Sequence, residues 1–418
     1  MILNVLDFGA TGDGRTDDSA AIQAAIDAAT GRSDPATTSR VPTGVVYLPA
    51  GSYRCGTSLR VRSVQGFHLV GAGPNLTAIE VADGARLDSL LEIDGAVDGI
   101  FEAFTLRTRD TAGTDFVDKM FYLHWSGPAG PAHRSTSNNS VRDVTITGGH
   151  FRTGFAVGSE PADNGWQCDG TVFRQCLVSG VIPAAGLPLP PDPGQPRNPT
   201  QWDKIPAAVL QNGWEIGNGT HGNNIDHFLY ACSWAHVRNG LRLNASNATL
   251  HGAQPAGALL DLNFSGSAHP IVIEGLRSEM AGALLDHGGG AADSHVTLRN
   301  VNWGALGMVG RTQNPHFPAW IRRACSGTLH LENVVCEGSR AEVTPAIDLN
   351  SPGGNALSCV ATGVAAQSPV GSAFVPGPGT QLTIMNYHER DKDHVITAIT
   401  PLRMMHGPKV IFEVPPAA

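Results

Sequence analysis

The sequence predicts an all-β protein, a right-handed parallel β-helix (solenoid) of about ten turns with an N-terminal capping α-helix. Three observations predict it. One short strand signature recurs along the chain, apolar and polar residues alternate with period two without helices between them, and a single amphipathic helix stands near the start. The 418 residues include 50 Gly and 28 Pro, and 16% are charged, so the chain has apolar residues to bury and turns often. Its length then reads as accumulated coils of one solenoid.

The helix comes first in the chain. Ser19-Ala-Ala-Ile-Gln-Ala-Ala-Ile-Asp-Ala-Ala29 places Ile22, Ala25, Ile26 and Ala29 on one face. Asp17 and Asp18 precede it and Ser19 opens it, where side-chain oxygens satisfy free N–H groups and favour the helix dipole. Gly31 follows as a stop signal. Helix 19–29 thus belongs to a cap segment spanning 1–60, followed by the β-helix over 61–400 and a tail over 401–418.

In the β-helix the signature is two apolar residues flanking an outward one. It reads Leu91-Glu92-Ile93-Asp94, Phe121-Tyr122-Leu123-His124, Phe155-Ala156-Val157-Gly158, Trp214-Glu215-Ile216-Gly217, Leu241-Arg242-Leu243-Asn244, Leu260-Asp261-Leu262-Asn263 and Ile347-Asp348-Leu349-Asn350, with a weaker copy at Leu284-Leu285-Asp286. A second strand type follows most copies, as in Val141-Arg-Asp-Val144, Val296-Thr-Leu298-Arg-Asn-Val301 and Leu329-His-Leu331-Glu-Asn-Val334. Most neighbouring copies lie 19 to 34 residues apart, which suits a coil of two or three short strands. A β-sandwich would also alternate, but it has no reason to repeat one signature so often. Phe155 and Trp214 are 59 residues apart, an interval that could hold an extra turn from Cys168 plus an excursion over 183–213. Pro recurs from Pro183 to Pro206, so that excursion runs as extended loop, and long loops on solenoids commonly border binding sites.

Several classes drop out. With 28 basic and 37 acidic residues the net charge is −9, without the basic stripe of a nucleic-acid binder. No run approaches the roughly 20 apolar residues of a membrane span, and no secretory signal opens the chain, whose first acid is Asp7. The four lysines, Lys119, Lys204, Lys392 and Lys409, read as compositional bias. Seven cysteines without CxxC spacing exclude a disulfide framework, and Cys232, Cys336 and Cys359 in alternating runs read as buried small hydrophobes. The 16 histidines form no HxH or HExxH spacing, so neither a metal nor a cofactor is expected.

The most specific signal is N-terminal. Asn4-Val-Leu-Asp-Phe-Gly9-Ala-Thr-Gly12-Asp-Gly14-Arg-Thr-Asp17-Asp18-Ser19, then Ala21-Ile-Gln-Ala-Ala-Ile26 and Gly44-Val-Val-Tyr-Leu-Pro49-Ala-Gly51-Ser-Tyr53, closely resemble the opening motif of the pectate-lyase-like superfamily. The match is nearest to its branch of glycoside hydrolase family 28-related proteins and phage tailspike depolymerases. The motif spans about the first 55 residues, and the remainder matches only in its style of repeat. The resemblance implies a helix closing the N-terminal end of a β-helix, a polysaccharide substrate, a homotrimer, and a place in a virion tail or outside the cell. The paired Asp and Gly-His-Gly signatures of polygalacturonases are not visible, so no catalytic residue is carried over.

Glycoside hydrolysis requires two carboxyl groups across the scissile bond, and stacked coils about 4.8 Å apart offer such pairs readily. Three groups of residues are candidates. Glu215, Arg242 and Asp261 share the outward slot of successive copies, as a catalytic pair or as a stacked ion ladder. Glu160, Asp163 and Asp169 surround Trp166 in one turn-rich loop, where an aromatic face could stack on a pyranose ring. If the excursion folds back, Trp202 within it and His221 and Asp226 beyond it could line one groove with Glu215 and the Glu160 loop. Trp214 sits in an inward slot and reads as core, while Trp234 and His236 read as exposed surface. A lyase would use Arg or Lys beside a uronate carboxylate, for which Arg238 and Arg242 offer a local basic patch. The leading expectation is a two-carboxylate hydrolase, with a non-catalytic host-attachment spike and a lyase as alternatives.

Overall fold

The computed structural model describes residues 1–30, 43–109, 115–127, 136–163, 168–181, 209–219, 224–265, 269–279, 281–288, 293–304, 319–337, 347–350, 357–366, 373–377, 380–390, 396–406 and 409–414. They form parallel β-helix coils in two compact units, one holding the described residues up to Val237 and the other those from Arg238 onward. No helix among the described residues is long and apolar enough to cross a membrane.

In the first unit the helix runs over Ser19–Thr30 and buries Ile22, Ala25, Ile26 and Ala29 completely. Its start differs from the expected cap. Asp17 Oδ1 accepts the Ser19 N–H at 3.0 Å, but the Asp18 carboxylate turns back to accept the Thr11 and Gly12 N–H groups at 2.7 and 3.1 Å, tying the Gly-rich loop to the helix. Gly12 has φ +65°, and a Cβ on it would stand 3.0 Å from the Tyr53 ring, so both conformation and space call for glycine there. Gly31 lies outside the described residues.

Strands Leu59–Gln65, Arg86–Val97, Phe116–His124, Phe151–Val157 and Asn212–Ile216 stack in parallel, with Leu59, Leu91, Phe121, Phe155 and Trp214 in one register row. All five side chains are fully buried. Ring centroids 5.6 Å apart at Phe121–Phe155 and 5.0 Å apart at Phe155–Trp214 join the last three places of the row in an aromatic stack. Phe155 pairs directly with Trp214, so the 59-residue interval adds no rung to this row, although Cys168–Asp169 joins the same sheet beside Thr136–Ser137. Val172–Arg174 and Leu177–Gly180 belong instead to the second face of the coil, where both pair with Ser140–Gly148. Residues 183–208 of the expected excursion lie outside the described ones. Trp234 corrects another expectation, because it is fully buried with its ring centroid 6.1 Å from that of Trp214.

The first sheet bends at a corner where two successive side chains turn inward. Leu90 with Leu91, and Met120 with Phe121, are all completely buried. At the same corner a Cβ on Gly154 would meet the Gly213 carbonyl oxygen at 2.7 Å and a Val178 methyl at 2.8 Å. Backbone yields less readily than a side-chain end, so Gly154→Ala should destabilise the protein by about 1–3 kcal/mol, read as a lower midpoint of denaturant unfolding.

In the second unit a corresponding stack aligns Leu241, Leu262, Leu285, Ile321, Ile347 and Phe374. Here the repeat alignment slips, since Leu241 faces Leu262 and Arg242 faces Asn263. Asp261 is fully buried and accepts from the Ser278 hydroxyl, so it does not share an outward slot with Arg242. Val296, Leu329, Cys359 and Leu382 form the second row. Asn300, Asn333 and Asn386 turn its corner with φ of 52°, 52° and 53°, a left-handed conformation that Asn tolerates well. All seven cysteines are free and buried. Near the end Ile396–His406 pairs antiparallel with Thr380–Arg390 and Lys409–Val414 with Ile396–His406, so the boundary placed at 400/401 falls inside a strand and the expected tail begins as sheet.

Candidate active site

The first unit gathers a dense set of charges on the side of the sheet opposite the aromatic row. Phe116–His124 supplies Asp118, Lys119, Tyr122 and His124, Phe151–Val157 supplies Arg152 and Thr153, and Asn212–Ile216 supplies Asn212 and Glu215. The turn after Val157 brings Glu160 and Asp163 over them. The corner explains the convergence. With Met120 and Phe121 both turned inward, Lys119 and Tyr122 meet on the other side, the ammonium 4.9 Å from the ring centroid, within cation–π range.

Two cations are shared among three carboxylates. Lys119 Nζ lies 2.5 Å from Asp118 and 2.7 Å from Glu160. Arg152 grips Asp118 through Nε and Nη2 at 2.5 and 3.0 Å, and reaches Glu160 at 3.2 Å and Glu215 at 3.0 Å. Glu215 Oε2 also accepts from Thr153 at 3.0 Å and Asn212 at 2.9 Å. Burial opposes charge on Asp118, yet its bonds to Arg152 and Lys119 outweigh that and lower its pKa. Burial likewise disfavours the Lys119 ammonium, but Asp118 and Glu160 raise its pKa above the ordinary value. Arg152 is raised in turn, first by its hydrogen bonds to Asp118.

Beside this ion cluster lies a proton-carrying group. The Tyr122 hydroxyl donates to Asp163, 2.7 and 2.6 Å from its two oxygens. The His124 ring stacks on Tyr122 at 4.0 Å and 4°, with Nδ1 3.1 Å from Asp163 and Nε2 3.4 Å from Glu92. Burial, then the Asp163 charge, pushes the Tyr122 phenol upward, keeping it neutral. For His124 burial works against the cation, but hydrogen bonds to Asp163 and Glu92 prevail and push it up to about 9. Glu92 is drawn down to about 2, chiefly by its bond to His124 against the cost of burial. The Glu160 N–H donates to Asp163 at 2.8 Å and Asn218 donates to the Glu160 and Asp163 carbonyl oxygens at 3.0 and 3.2 Å, fixing the turn.

Glu92, Asp94 and His124 place one potential metal-ligand atom each within 4.8 Å of one another. A metal ligand must be neutral imidazole, and without an ion the bonds to Asp163 and Glu92 favour the protonated form of His124. Glu92 also accepts from Arg60 at 3.0 Å and Asp94 from Ser126 at 2.6 Å, so the carboxylates of the trio have side-chain partners of their own.

Among the residues expected at a site, Glu160, Asp163 and Glu215 meet in this cluster. Asp169 lies elsewhere in the first unit, its pKa raised by burial and then by the charge of Asp226. Arg238, Arg242 and Asp261 belong to the second unit. Trp166, Trp202 and His221 lie outside the described residues. Sequence reasoning missed Lys119, Tyr122, His124 and Arg152. Their signal was present in Phe121-Tyr122-Leu123-His124, whose polar positions can titrate, and in one of only four lysines standing inside a strand.

Parallel coils with a charged, proton-carrying cluster on one outer face define a β-helix of the kind that presents a site along its side. Residues 2–113 match the family model described as rhamnogalacturonase A/epimerase, pectate lyase-like. The chain is 28% identical over 311 residues to mannuronan C5-epimerase AlgE5 of Azotobacter vinelandii, covering 67% of this chain and 26% of that protein. The solved A-module of mannuronan C5-epimerase AlgE4 from the same organism has a TM-score of 0.52 at 17% identity, over 94% of this chain and 95% of that one. The gp42 tailspike of an Acinetobacter phage has a TM-score of 0.59 at 8% identity, over 93% and 63%. This chain belongs to the pectate-lyase-like β-helix superfamily. It spans about a quarter of the length of the AlgE5 epimerase.

Proposed function

We propose that the protein acts on an acidic polysaccharide by removing the C5 proton of a uronate residue, the step that C5 epimerisation and β-elimination share. The observation that carries this reading is the adjacency of Lys119 and Arg152 to the Tyr122–His124–Asp163 group. A uronate C5–H is acidic only when the attached carboxylate is neutralised, and the two cations suit that role by taking the substrate carboxylate in exchange for part of their bonding to Glu160 and Asp118. Tyr122 Oη takes the C5 proton as its own passes to Asp163, so no phenolate is left in the site. The electron pair moves into the carboxyl group facing the cations. The His124 imidazolium then supplies a proton to O4 as the C4–O4 bond breaks, or, in epimerisation, C5 takes a proton from water on its other face and the hydroxide left takes back the one held by Asp163.

Two-carboxylate hydrolysis fits this cluster less well. Its general acid needs a raised pKa, whereas Asp118 and Glu92 are lowered. The raised carboxyl, Asp169 beside Asp226, is the specific observation favouring hydrolysis as a second reading. The homology to an epimerase named for mannuronan makes polymannuronate the first substrate to test. An extracellular or virion setting and a homotrimer, the latter testable by light scattering, belong to the same proposal.

The deciding experiment incubates the full chain with polymannuronate in D₂O. Proton NMR should show loss of the C5 signal by exchange or inversion, or new signals of an unsaturated uronate. Lys119→Met should slow that loss by about 10- to 100-fold. New reducing ends without either signal would favour hydrolysis, and binding without any product would favour a silent spike.

A further inference from the structure

A cleft of about 760 Å³ opens beside the ion cluster, lined by Arg60, Arg62 and Arg86 together with Gln23, Thr57 and Ser58. Its guanidinium groups are available to a ligand in different degrees. Arg60 and Arg62 share a single carboxylate, Glu92, at 3.0 and 3.7 Å, with side chains 52% and 55% exposed. Arg86 lies over the Phe116 ring at 5.2 Å and has no carboxylate partner among the described residues. Against these three cations the lining sets Asp27 and Asp88. With Glu92 shared by Arg60 and Arg62, Arg86 is the lining cation left to meet an incoming carboxylate, with hydroxyl and amide groups around it.

Its place on the sheet gives it a particular use. Arg60 is in register with Glu92, which is in register with Tyr122, two strand spacings or on the order of 10 Å away. Arg152 lies on the next strand, four residues along it from Ala156, the partner of Tyr122, and so is farther still. A single sugar ring cannot span either distance, but a linear glycan crossing the strands can reach both places. The Glu92 carboxylate joins them physically, because it pairs with Arg60 on one side and His124 on the other.

We propose that the cleft lined by Arg60, Arg62 and Arg86 is a second carboxylate-binding subsite, taking a uronate of the same glycan strand several rings from the residue held at Lys119 and Arg152. This rests on the polyuronate reading above. Arg86 over Phe116 presents a planar fork suited to a carboxylate, while Thr57, Ser58 and Gln23 offer partners for ring hydroxyls.

The test is calorimetric titration of the full chain with mannuronate oligosaccharides, a disaccharide too short to reach both places and an octasaccharide long enough. Arg86→Gln should weaken octasaccharide binding by about tenfold and leave disaccharide binding unchanged, with Arg86→Lys in between and the thermal midpoint unaltered. Equal affinity of Arg86→Gln and the unsubstituted protein for the octasaccharide would overturn the subsite, as would equal losses on both ligands or no binding of either ligand by the unsubstituted protein. If binding depends on Arg86 but no C5 exchange occurs, the subsite stands and the proposed reaction falls.

Discussion

Tyr122→Phe should lower the rate of C5 exchange on polymannuronate by about 10²- to 10⁴-fold, the usual contribution of a positioned proton carrier, while the protein remains folded. The substitution removes one oxygen and little else. The ring keeps its stack on His124 at 4.0 Å and its place 4.9 Å from the Lys119 ammonium. Asp163 keeps its bonds to His124 and the Glu160 N–H. What disappears is the hydroxyl that receives the C5 proton and passes its own to Asp163. The expected kinetic pattern is a fall in kcat with KM nearly unchanged, since the substrate carboxylate is held by Lys119 and Arg152. An exchange rate within threefold of the unsubstituted protein would remove Tyr122 from the reaction and return attention to Asp169 and Asp226.

The second large effect concerns stability and pH. His124 is raised to about 9 in the folded protein from an ordinary 6.5, so its protonation contributes stability that is fully present below pH 6.5 and is lost as pH climbs through 9. A difference of that size corresponds to about 3 kcal/mol. Glu92 behaves oppositely. Lowered from 4.5 to about 2, it contributes stability above pH 4.5 that disappears as pH falls through 2. The two groups bond each other, so their contributions overlap and cannot be added. Denaturant midpoints should therefore decline from pH 6.5 to 9.5, and His124→Gln should flatten most of that slope while leaving the acid limb to the other carboxylates. An unchanged slope in the variant would show that His124 is not held protonated by Asp163 and Glu92. The same titration should carry over to elimination, because raising the pH through 9 withdraws the acid that supplies the proton to O4.

The fold was legible because its cause is local and repeated. Leu91, Phe121, Phe155 and Trp214 each sit at the same place in a short pattern, and the structure pairs them row upon row. The Gly9–Gly14 loop and the Asp17–Asp18 pair were legible as a motif, although the direction of the Asp18 carboxylate depends on where Thr11 and Gly12 come to rest. Register was harder to read. Aligning Leu241 with Leu260 by pattern is natural, yet the coil pairs Leu241 with Leu262, and that two-residue shift is why Arg242 and Asp261 do not face each other. Turn length decides such shifts, and the pattern of apolar residues is silent on it. Trp234 was misread for a related reason. A strand of three residues is too short for alternation to show which side is buried.

The site was only partly legible. Glu160, Asp163 and Glu215 were visible as acids near motif copies, but their partners Lys119 and Arg152 lie on two different coils. Lys119 is 41 residues from Glu160 in sequence and 2.7 Å from it in space. By itself the sequence determined a parallel β-helix, the apolar rows that fill it and the glycines of its opening loop, because period-two alternation and backbone conformation are properties of neighbouring residues. Tertiary structure alone decided which charges meet and which of them keep their protons. Those depend on how far each loop carries the chain before it returns, and on how much water the returning turn excludes.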